Sequence, residues 1–166
     1  MNSDTLRNIQ APLKENYRDN PAAALIVLKA EGKIGENLSC KVETGQALIE
    51  AGLHPATGGN GLQACSGDLL LQALVACAGV TLTVVATAIG VDIANGSIRA
   101  EGDLDFRGTL GVSKEVPVGF QAIRLYFKLE TTASADQLAS LMKLTERYCV
   151  IYQTICKGVP VQIMSE

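Results

Sequence analysis

The sequence predicts an α+β fold organised around one long apolar helix. Between Asp68 and Asp92 the chain carries no charged residue, and this run is long enough for a helix of about 22 residues. The predicted order is a β-meander, the long helix, two strands with alternating polarity, an amphipathic helix and a closing strand. This order indicates an α+β plan rather than a βαβ series.

The first 21 residues differ in character from the rest. They are polar, of mixed charge, and lack the apolar core of a secretory signal. Residues 4–18 predict a short helix, interrupted at Pro12. We therefore expect an N-terminal arm over residues 1–21 and one domain over residues 22–166.

Three short β-prone runs open the domain, at residues 22–32, 36–45 and 46–52, and turns containing glycine separate them. This pattern is typical of a β-meander. Cys40 alternates with the apolar residues of the second run, which predicts a core position. A Gly-rich stretch from His54 to Cys65 is predicted to be the loop that leads into the long helix.

The long helix is predicted from Ser66, as its N-cap, to Gly90. Its length would also suit a membrane span. However, Gln72 and several threonines interrupt the apolar run, aspartates flank it, and no Lys or Arg lies nearby. These features favour a buried helix in a soluble protein, with Cys77 near its middle.

Beyond this helix the apolar period changes from helical to alternating. In the segment 96–108, Ile98, Leu104 and Phe106 fall on one face, and in residues 122–130 the apolar residues alternate without exception. The two segments are predicted to be neighbouring antiparallel strands.

A second amphipathic helix is predicted to follow Ser134. Ser134 and Gln137 form a capping box. One apolar face is expected over residues at helical spacing: Leu138, Leu141, Met142, Thr145 and Cys149. The helix should stop near Gly158, and residues 159–164 predict a short closing strand.

Composition excludes several classes of function. The net charge of −3 and the 4% aromatic content argue against nucleic-acid binding. The five cysteines are irregularly spaced, no CxxC pair occurs, and His54 is the only histidine, so neither a metal site nor a secreted disulfide framework is indicated. We expect a cytoplasmic protein without a cofactor.

Two cysteines on different helices suggest redox chemistry. If the helices cross, Cys77 and Cys149 can come within the Cα separation that a disulfide requires. The first thiolate would attack a peroxide and the second thiol would resolve the sulfenic acid. Three readings remain open beside this one: inert core cysteines, pairing with Cys65 or Cys156 instead, and a Cys/His hydrolase using His54 with Cys65 or Cys77.

Three segments in order, GDLLLQALVACAGVTL, LTERYCVIYQTI and the final VPVQI, resemble the OsmC/Ohr family of osmotically induced and organic hydroperoxide resistance proteins. The resemblance spans residues 22–166. It implies an intertwined homodimer with packed central helices, and a stress-response peroxidase that reduces organic hydroperoxides and is reset by a dithiol, in some members a lipoyl group. Cys77 matches the family's peroxidatic cysteine and Cys149 its resolving cysteine.

The sequence departs from the family pattern at three points. Gly67 stands where the family has a glutamate, and Val150 stands where a proline usually follows the resolving cysteine. No arginine lies between Arg18 and Arg99 to hold the thiolate. A second hypothesis is therefore an OsmC-like dimer that binds a small apolar or thiol-bearing ligand without turnover.

Overall fold

The computed structural model describes residues 2–20, 31–34, 40–43 and 48–165. The chain forms two compact units. The first consists of Met1–Ala23, Ala73–Arg99 and Leu125–Glu166. The second consists of Ala24–Gln72 and Ala100–Arg124. The mixture of helices and strands confirms the predicted α+β class.

The first helix, α1, runs from Ser3 to Asp19. The Asn2 side chain caps it by accepting a hydrogen bond of 2.8 Å from the Thr5 N–H. The predicted helix over residues 4–18 is present. The expectation that Pro12 breaks its pattern was wrong, because the helix continues with the proline inside it. The missing N–H removes one backbone hydrogen bond without ending the helix.

A four-stranded sheet lies in the second unit. Its strands are β1 (Glu31–Ile34), β2 (Cys40–Glu43), β3 (Leu48–Gly52) and β4 (Ala64–Cys65). The first three pair antiparallel in chain order, with Val42 opposite both Gly32 and Ile49, as a meander requires. The two-residue β4 was not predicted, and it pairs parallel to β3. The first predicted run lies mostly at residues 21–30, outside the described residues, and so does the side chain of Cys40.

The predicted central helix is confirmed as α2, Ser66–Ile89. In the first unit its buried residues are Leu74, Ala78, Leu82, Val85 and Ala86. Leu82, Val85 and Ala86 join Val91 and the fully buried Leu141 in the apolar core. Gly79 permits close packing on another side, since a Cβ there would lie 3.4 Å from Cδ1 of Ile98.

By length and composition α2 could also cross a membrane. Only 28% of its most apolar 18-residue window is buried within the protomer. A single such helix is weak evidence for a span, because the core helix of a soluble protein meets the same criteria.

Two longer strands, β5 (Asn95–Asp103) and β6 (Ala122–Glu130), form a second sheet. Hydrogen bonds from Ala94 N–H to the Glu130 carbonyl and from Gln121 N–H to the Asp103 carbonyl, both 2.8 Å, define an antiparallel register. The predicted strand pair is therefore confirmed. The first strand is shorter than predicted, because the Asp105 side chain accepts from the Arg107 N–H and starts the short helix α3, Phe106–Thr109.

The C-terminal part contains two helices, α4 (Ala135–Tyr148) and α5 (Val150–Lys157). Both hydrogen bonds of the predicted capping box at Ser134 are present. The predicted single helix is wrong at Cys149, where the backbone turns to an extended conformation with φ −72° and ψ 108°.

The predicted closing strand is also wrong. Residues 158–165 form no strand, and Val161 and Ile163 are 84% and 100% exposed. The segment alternates as a strand would, but alternation forms a strand only where a second strand is available to pair with it.

Candidate active site

Cys77 lies near the middle of α2, within the first unit. Leu74, about one turn before it on the same face of the helix, is 2% exposed, and the following residue, Ala78, is 0% exposed, so Cys77 borders the buried face of α2. Cys77 itself is partly buried. Its thiol therefore lies at the edge of the apolar interior and keeps some access to solvent.

Cys149 is held at the junction of α4 and α5. Its N–H donates to the Thr145 carbonyl at 2.9 Å and ends α4, while its carbonyl accepts from the Gln153 N–H at 2.9 Å and begins α5. The residue is 1% exposed.

Cys149 and Cys77 each influence the pKa of the other, which places the two thiols near one another, and both are free thiols. The backbone of Ile151 and Val150 and the side chain of Thr81 also contribute to the pKa of Cys77, and each lowers it. Within the first unit, the thiol that approaches Cys77 is therefore that of Cys149.

The surroundings shift the pKa values of the two thiols in opposite directions. For Cys77, burial raises the pKa, but the hydrogen bonds from Ile151, Cys149, Thr81 and Val150 together outweigh it and leave the pKa below its usual value. For Cys149, burial is the main cause that raises the pKa, and the adjacent Cys77 raises it further. Cys77 is therefore the thiol that ionises first, and Cys149 keeps its proton.

Sequence reasoning missed three of the four donors to Cys77. Thr81 could have been found, because it lies four residues after Cys77 and shares its face of the helix. The N–H groups of Val150 and Ile151 had no signal in the sequence, since they are available only because the helix breaks at Cys149. In the described residues, the groups that lower the pKa of Cys77 are uncharged donors.

The other described cysteines occupy different surroundings. Cys156 is exposed near the end of α5, where it interacts with the Tyr152 hydroxyl and raises the pKa of that phenol. Cys65 is partly buried in β4, in the second unit. Among residues 2–20, 31–34, 40–43 and 48–165, no group of three or more side chains is arranged to hold a metal ion.

The second unit contains a cavity of about 550 Å³. Its walls include Phe106, Phe120 and Leu71, and its polar lining includes His54 and Cys65. The His54 ring stacks on Phe106 with centroids 4.9 Å apart, and its Nδ1 accepts a hydrogen bond from the Ala56 N–H at 3.0 Å. A neutral His54 therefore carries its proton on Nε2, which removes that nitrogen as the base that a Cys/His hydrolase would need.

These features define the class of protein: an α+β fold whose long apolar helix presents a thiol to a second thiol at a helix junction. The chain belongs to the OsmC-like protein family, whose sequence profile matches residues 58–164, more than half of the chain. This family consists of soluble proteins. No protein of curated function matches the sequence.

Solved structures share the fold at low sequence identity. An OsmC-like protein from Mycoplasma pneumoniae has a TM-score of 0.67 and 17% identity, with 81% of this chain and 89% of that chain covered. An organic hydroperoxide resistance protein from Elizabethkingia anophelis has a TM-score of 0.63 and 16% identity, with 81% of this chain and 90% of that chain covered. The organic hydroperoxide resistance protein OhrB of Bacillus subtilis has a TM-score of 0.52 and 18% sequence identity, with 80% of this chain and 92% of that chain covered. At these identities the likeness establishes the fold alone.

Proposed function

We propose that the protein is a thiol-dependent peroxidase that reduces organic hydroperoxides, with Cys77 as the peroxidatic and Cys149 as the resolving cysteine. The observation that carries this proposal is the contact between the two free thiols, whose pKa values move apart. A peroxidatic cysteine has to be a thiolate, and a resolving cysteine has to wait as a thiol. Membership of a family that includes organic hydroperoxide resistance proteins supports the same reaction.

The reaction balances in three steps. The Cys77 thiolate attacks the terminal oxygen of the hydroperoxide, the O–O bond breaks, and the alkoxide takes up a proton and leaves as an alcohol. Cys77 is then a sulfenic acid, and the Cys149 thiol condenses with it to form a disulfide and water. An external dithiol reduces the disulfide by exchange and is itself oxidised to a disulfide.

The substrate class proposed is a hydroperoxide with a hydrocarbon substituent. Val80, three residues after Cys77 on α2, is 66% exposed and gives this part of the helix an apolar surface. Such a surface favours a hydrocarbon substituent over the small polar hydrogen peroxide. The reductant proposed is a dithiol, such as a lipoyl group, in the cytoplasm.

A homodimer is part of this proposal. The protomer leaves large apolar side chains in solvent, including Val80 on α2, which is 66% exposed, and Ile163 in the C-terminal segment, which is fully exposed. Apolar surfaces of this kind are usually covered by a partner. Sedimentation equilibrium should give twice the mass of 17.5 kDa, and Val80→Glu should shift the population towards the monomer if α2 lies in the interface.

The enzymatic test is hydroperoxide consumption by reduced protein. With cumene hydroperoxide and dihydrolipoamide, the wild type should turn over repeatedly and Cys77→Ser should be inactive. With cumene hydroperoxide alone, Cys149→Ser should consume one equivalent and stop as the Cys77 sulfenic acid, whereas the wild type should form the Cys77–Cys149 disulfide. Cys156→Ser is the matched control, because this exposed cysteine plays no part in the steps above. Turnover that survives in Cys77→Ser would exclude the proposal.

A second candidate function is favoured by the cavity in the second unit. A volume of about 550 Å³ with two phenylalanine rings and a few polar groups is typical of a small-molecule site. This supports an OsmC-like protein that binds a small apolar ligand without turnover. Native mass spectrometry of the purified wild type and of Phe120→Ala, which alters the cavity wall, tests whether a ligand is bound. A second test adds an apolar fluorescent dye to each protein. Dye fluorescence that changes with neither protein would argue against a ligand site in this cavity.

A further inference from the structure

The cavity in the second unit lies where four stretches of chain meet. They are residues 52–57 after β3, 65–71 at the start of α2, 102–109 at the end of β5 and in α3, and 118–120 before β6. All four belong to the second unit. The volume of about 550 Å³ falls within the range of about 300–1,000 Å³ that small-molecule sites have. The cavity is therefore large enough for a ligand with one or two rings.

The side chain of Phe120 forms one wall of this cavity, in a place that two glycines leave open. A Cβ at Gly102, on β5, would lie 2.5 Å from Cε1 of Phe120, which is closer than two such atoms approach. A Cβ at Gly67, on α2, would lie 3.3 Å from Cζ of the same ring. The ring thus lies close to the backbone of both elements, and glycine at these positions permits this approach.

A second aromatic surface is formed by His54 and Phe106, which also line the cavity. Their rings stack with centroids 4.9 Å apart and planes inclined by 21°. Leu71 and Leu104 add apolar side chains to the lining. Aromatic side chains pack well against a further ring, in offset-stacked or edge-to-face arrangements. An aromatic ligand therefore matches the walls of this cavity.

The polar groups of the lining disfavour a negatively charged ligand. Among the described residues that line the cavity, Asp68 is the charged one, and its carboxylate repels an anion. The hydroxyls of Thr57 and Thr109 already donate hydrogen bonds to the carbonyls of His54 and Val118, at 2.9 and 3.4 Å. These two hydroxyls therefore have no proton left to donate to a ligand.

His54 supplies the hydrogen-bond donor. Its Nδ1 accepts from the Ala56 N–H at 3.0 Å, so the neutral ring carries its proton on Nε2. Within the described part of the chain, no protein group accepts a hydrogen bond from Nε2. This N–H is therefore available to an acceptor atom of a ligand.

We propose that this cavity binds a small, uncharged, planar aromatic compound that carries a carbonyl oxygen or a similar hydrogen-bond acceptor. The ring of the ligand packs against Phe120 and against the pair of His54 and Phe106, and its acceptor takes the hydrogen bond from Nε2 of His54. The proposal deepens the second candidate function by naming the ligand class, and it rests on that candidate in treating the cavity as a ligand site. It does not depend on the peroxidase reaction.

The test uses the Cys65 thiol, which also lines the cavity, as a reporter. Reduced protein is alkylated with iodoacetamide in the presence of increasing 2-acetylnaphthalene, and peptide mass spectrometry follows the labelling of each cysteine. At about ten times the dissociation constant about nine-tenths of the sites are occupied, so labelling of Cys65 should slow about tenfold. Cys156, exposed in the first unit, is the internal control and should react at an unchanged rate. Unchanged labelling of Cys65, or equal slowing at both cysteines, would overturn the proposal.

The preference for an uncharged ligand is tested with 2-naphthoate, which has the same ring system and a carboxylate in place of the ketone. It should need about a tenfold higher concentration for the same protection of Cys65, because burial of a carboxylate beside Asp68 is costly. This comparison uses the wild type and does not depend on the folding of a variant. Equal protection by the two compounds would contradict the proposed ligand class.

The hydrogen bond is tested with His54→Phe, which keeps an aromatic ring beside Phe106 and removes the Nε2–H. The dissociation constant of 2-acetylnaphthalene should rise about threefold to tenfold. Gly119→Ala is the matched control, because residue 119 lines the cavity but a Cβ there would meet no atom within 4 Å. An unchanged dissociation constant in folded His54→Phe would overturn the proposal.

None of these measurements uses a hydroperoxide or observes Cys77 and Cys149. Failure of the peroxidase assay therefore leaves the ligand site standing. A cavity that fails to bind 2-acetylnaphthalene removes this inference and leaves the peroxidase assignment standing.

Discussion

Thr81 lies one helical turn after Cys77 on α2, and its side chain lowers the pKa of the Cys77 thiol. Thr81→Val removes the hydroxyl and keeps the shape of the side chain. The pKa of Cys77 should rise, because a hydrogen bond to the thiolate is lost while burial remains. Iodoacetamide alkylation of Cys77 at pH 7 should slow by about threefold to tenfold.

Thr83→Val is the matched control for this variant. The Thr83 hydroxyl donates to the Val80 carbonyl at 2.9 Å on an exposed part of the same helix. Its removal should leave the alkylation rate of Cys77 unchanged. Equal slowing in the two variants would mean that the threonines act through the stability of α2 and not through the sulfur.

The order in which the thiols react should depend on pH. Because the pKa of Cys77 is lowered, its thiolate persists as the pH falls below about 8.5 and is lost only when the pH falls through the lowered value. The pKa of Cys149 is raised, so its thiolate forms only above the usual range. Timed alkylation at pH 7 with peptide mapping should label Cys77 before Cys149.

The same experiment on Cys149→Ala should reveal the coupling between the two cysteines. This variant deletes one of the donors to Cys77, so the midpoint of Cys77 alkylation should move upwards. Preferential labelling of Cys149 in the wild type at pH 7 would reverse the roles assigned to the two thiols.

Leu141 is the fully buried centre of the apolar core in the first unit. Leu141→Ala should lower the free energy of unfolding by about 2–5 kcal/mol, because it removes buried methyl groups and leaves a cavity. Urea denaturation followed by circular dichroism measures this change. Leu62→Ala, at a position 87% exposed, should change it by less than about 0.5 kcal/mol.

The capping box at Ser134 should contribute measurably to stability. Its hydroxyl accepts from the Gln137 N–H, and the Gln137 side chain accepts from the Ser134 N–H at 2.9 Å. Ser134→Ala should cost about 0.5–2 kcal/mol in the same denaturation experiment. Ser134→Asn, which can still cap the helix, should recover most of the loss. Equal destabilisation by both variants would show that the cap is not the cause.

The elements that the sequence predicted well are those with a long, uninterrupted pattern. The charge-free apolar run of α2 and the alternating residues of β6 were both found with the correct bounds to within a residue. The pairing of Cys77 with Cys149 was one of several open choices, and only the structure places Cys149, within the first unit, beside Cys77.

The wrong predictions concern features that depend on a pairing strand elsewhere in the fold or on the backbone conformation of a single residue. The segment 159–164 alternates as a strand does, but pairing depends on a neighbour that no local pattern encodes. The break at Cys149 was missed because the apolar spacing continues across it from Thr145.

Through its backbone, Cys149 is tied to Thr145 on one side and to Gln153 on the other. A covalent bond from its sulfur to Cys77 would fasten α2, α4 and α5 together at a single point. Oxidation would then slow the hydrogen–deuterium exchange of the N–H groups that flank the junction. Backbone hydrogen–deuterium exchange would then show whether the two thiols of a sample are oxidised or reduced, without a probe on either thiol.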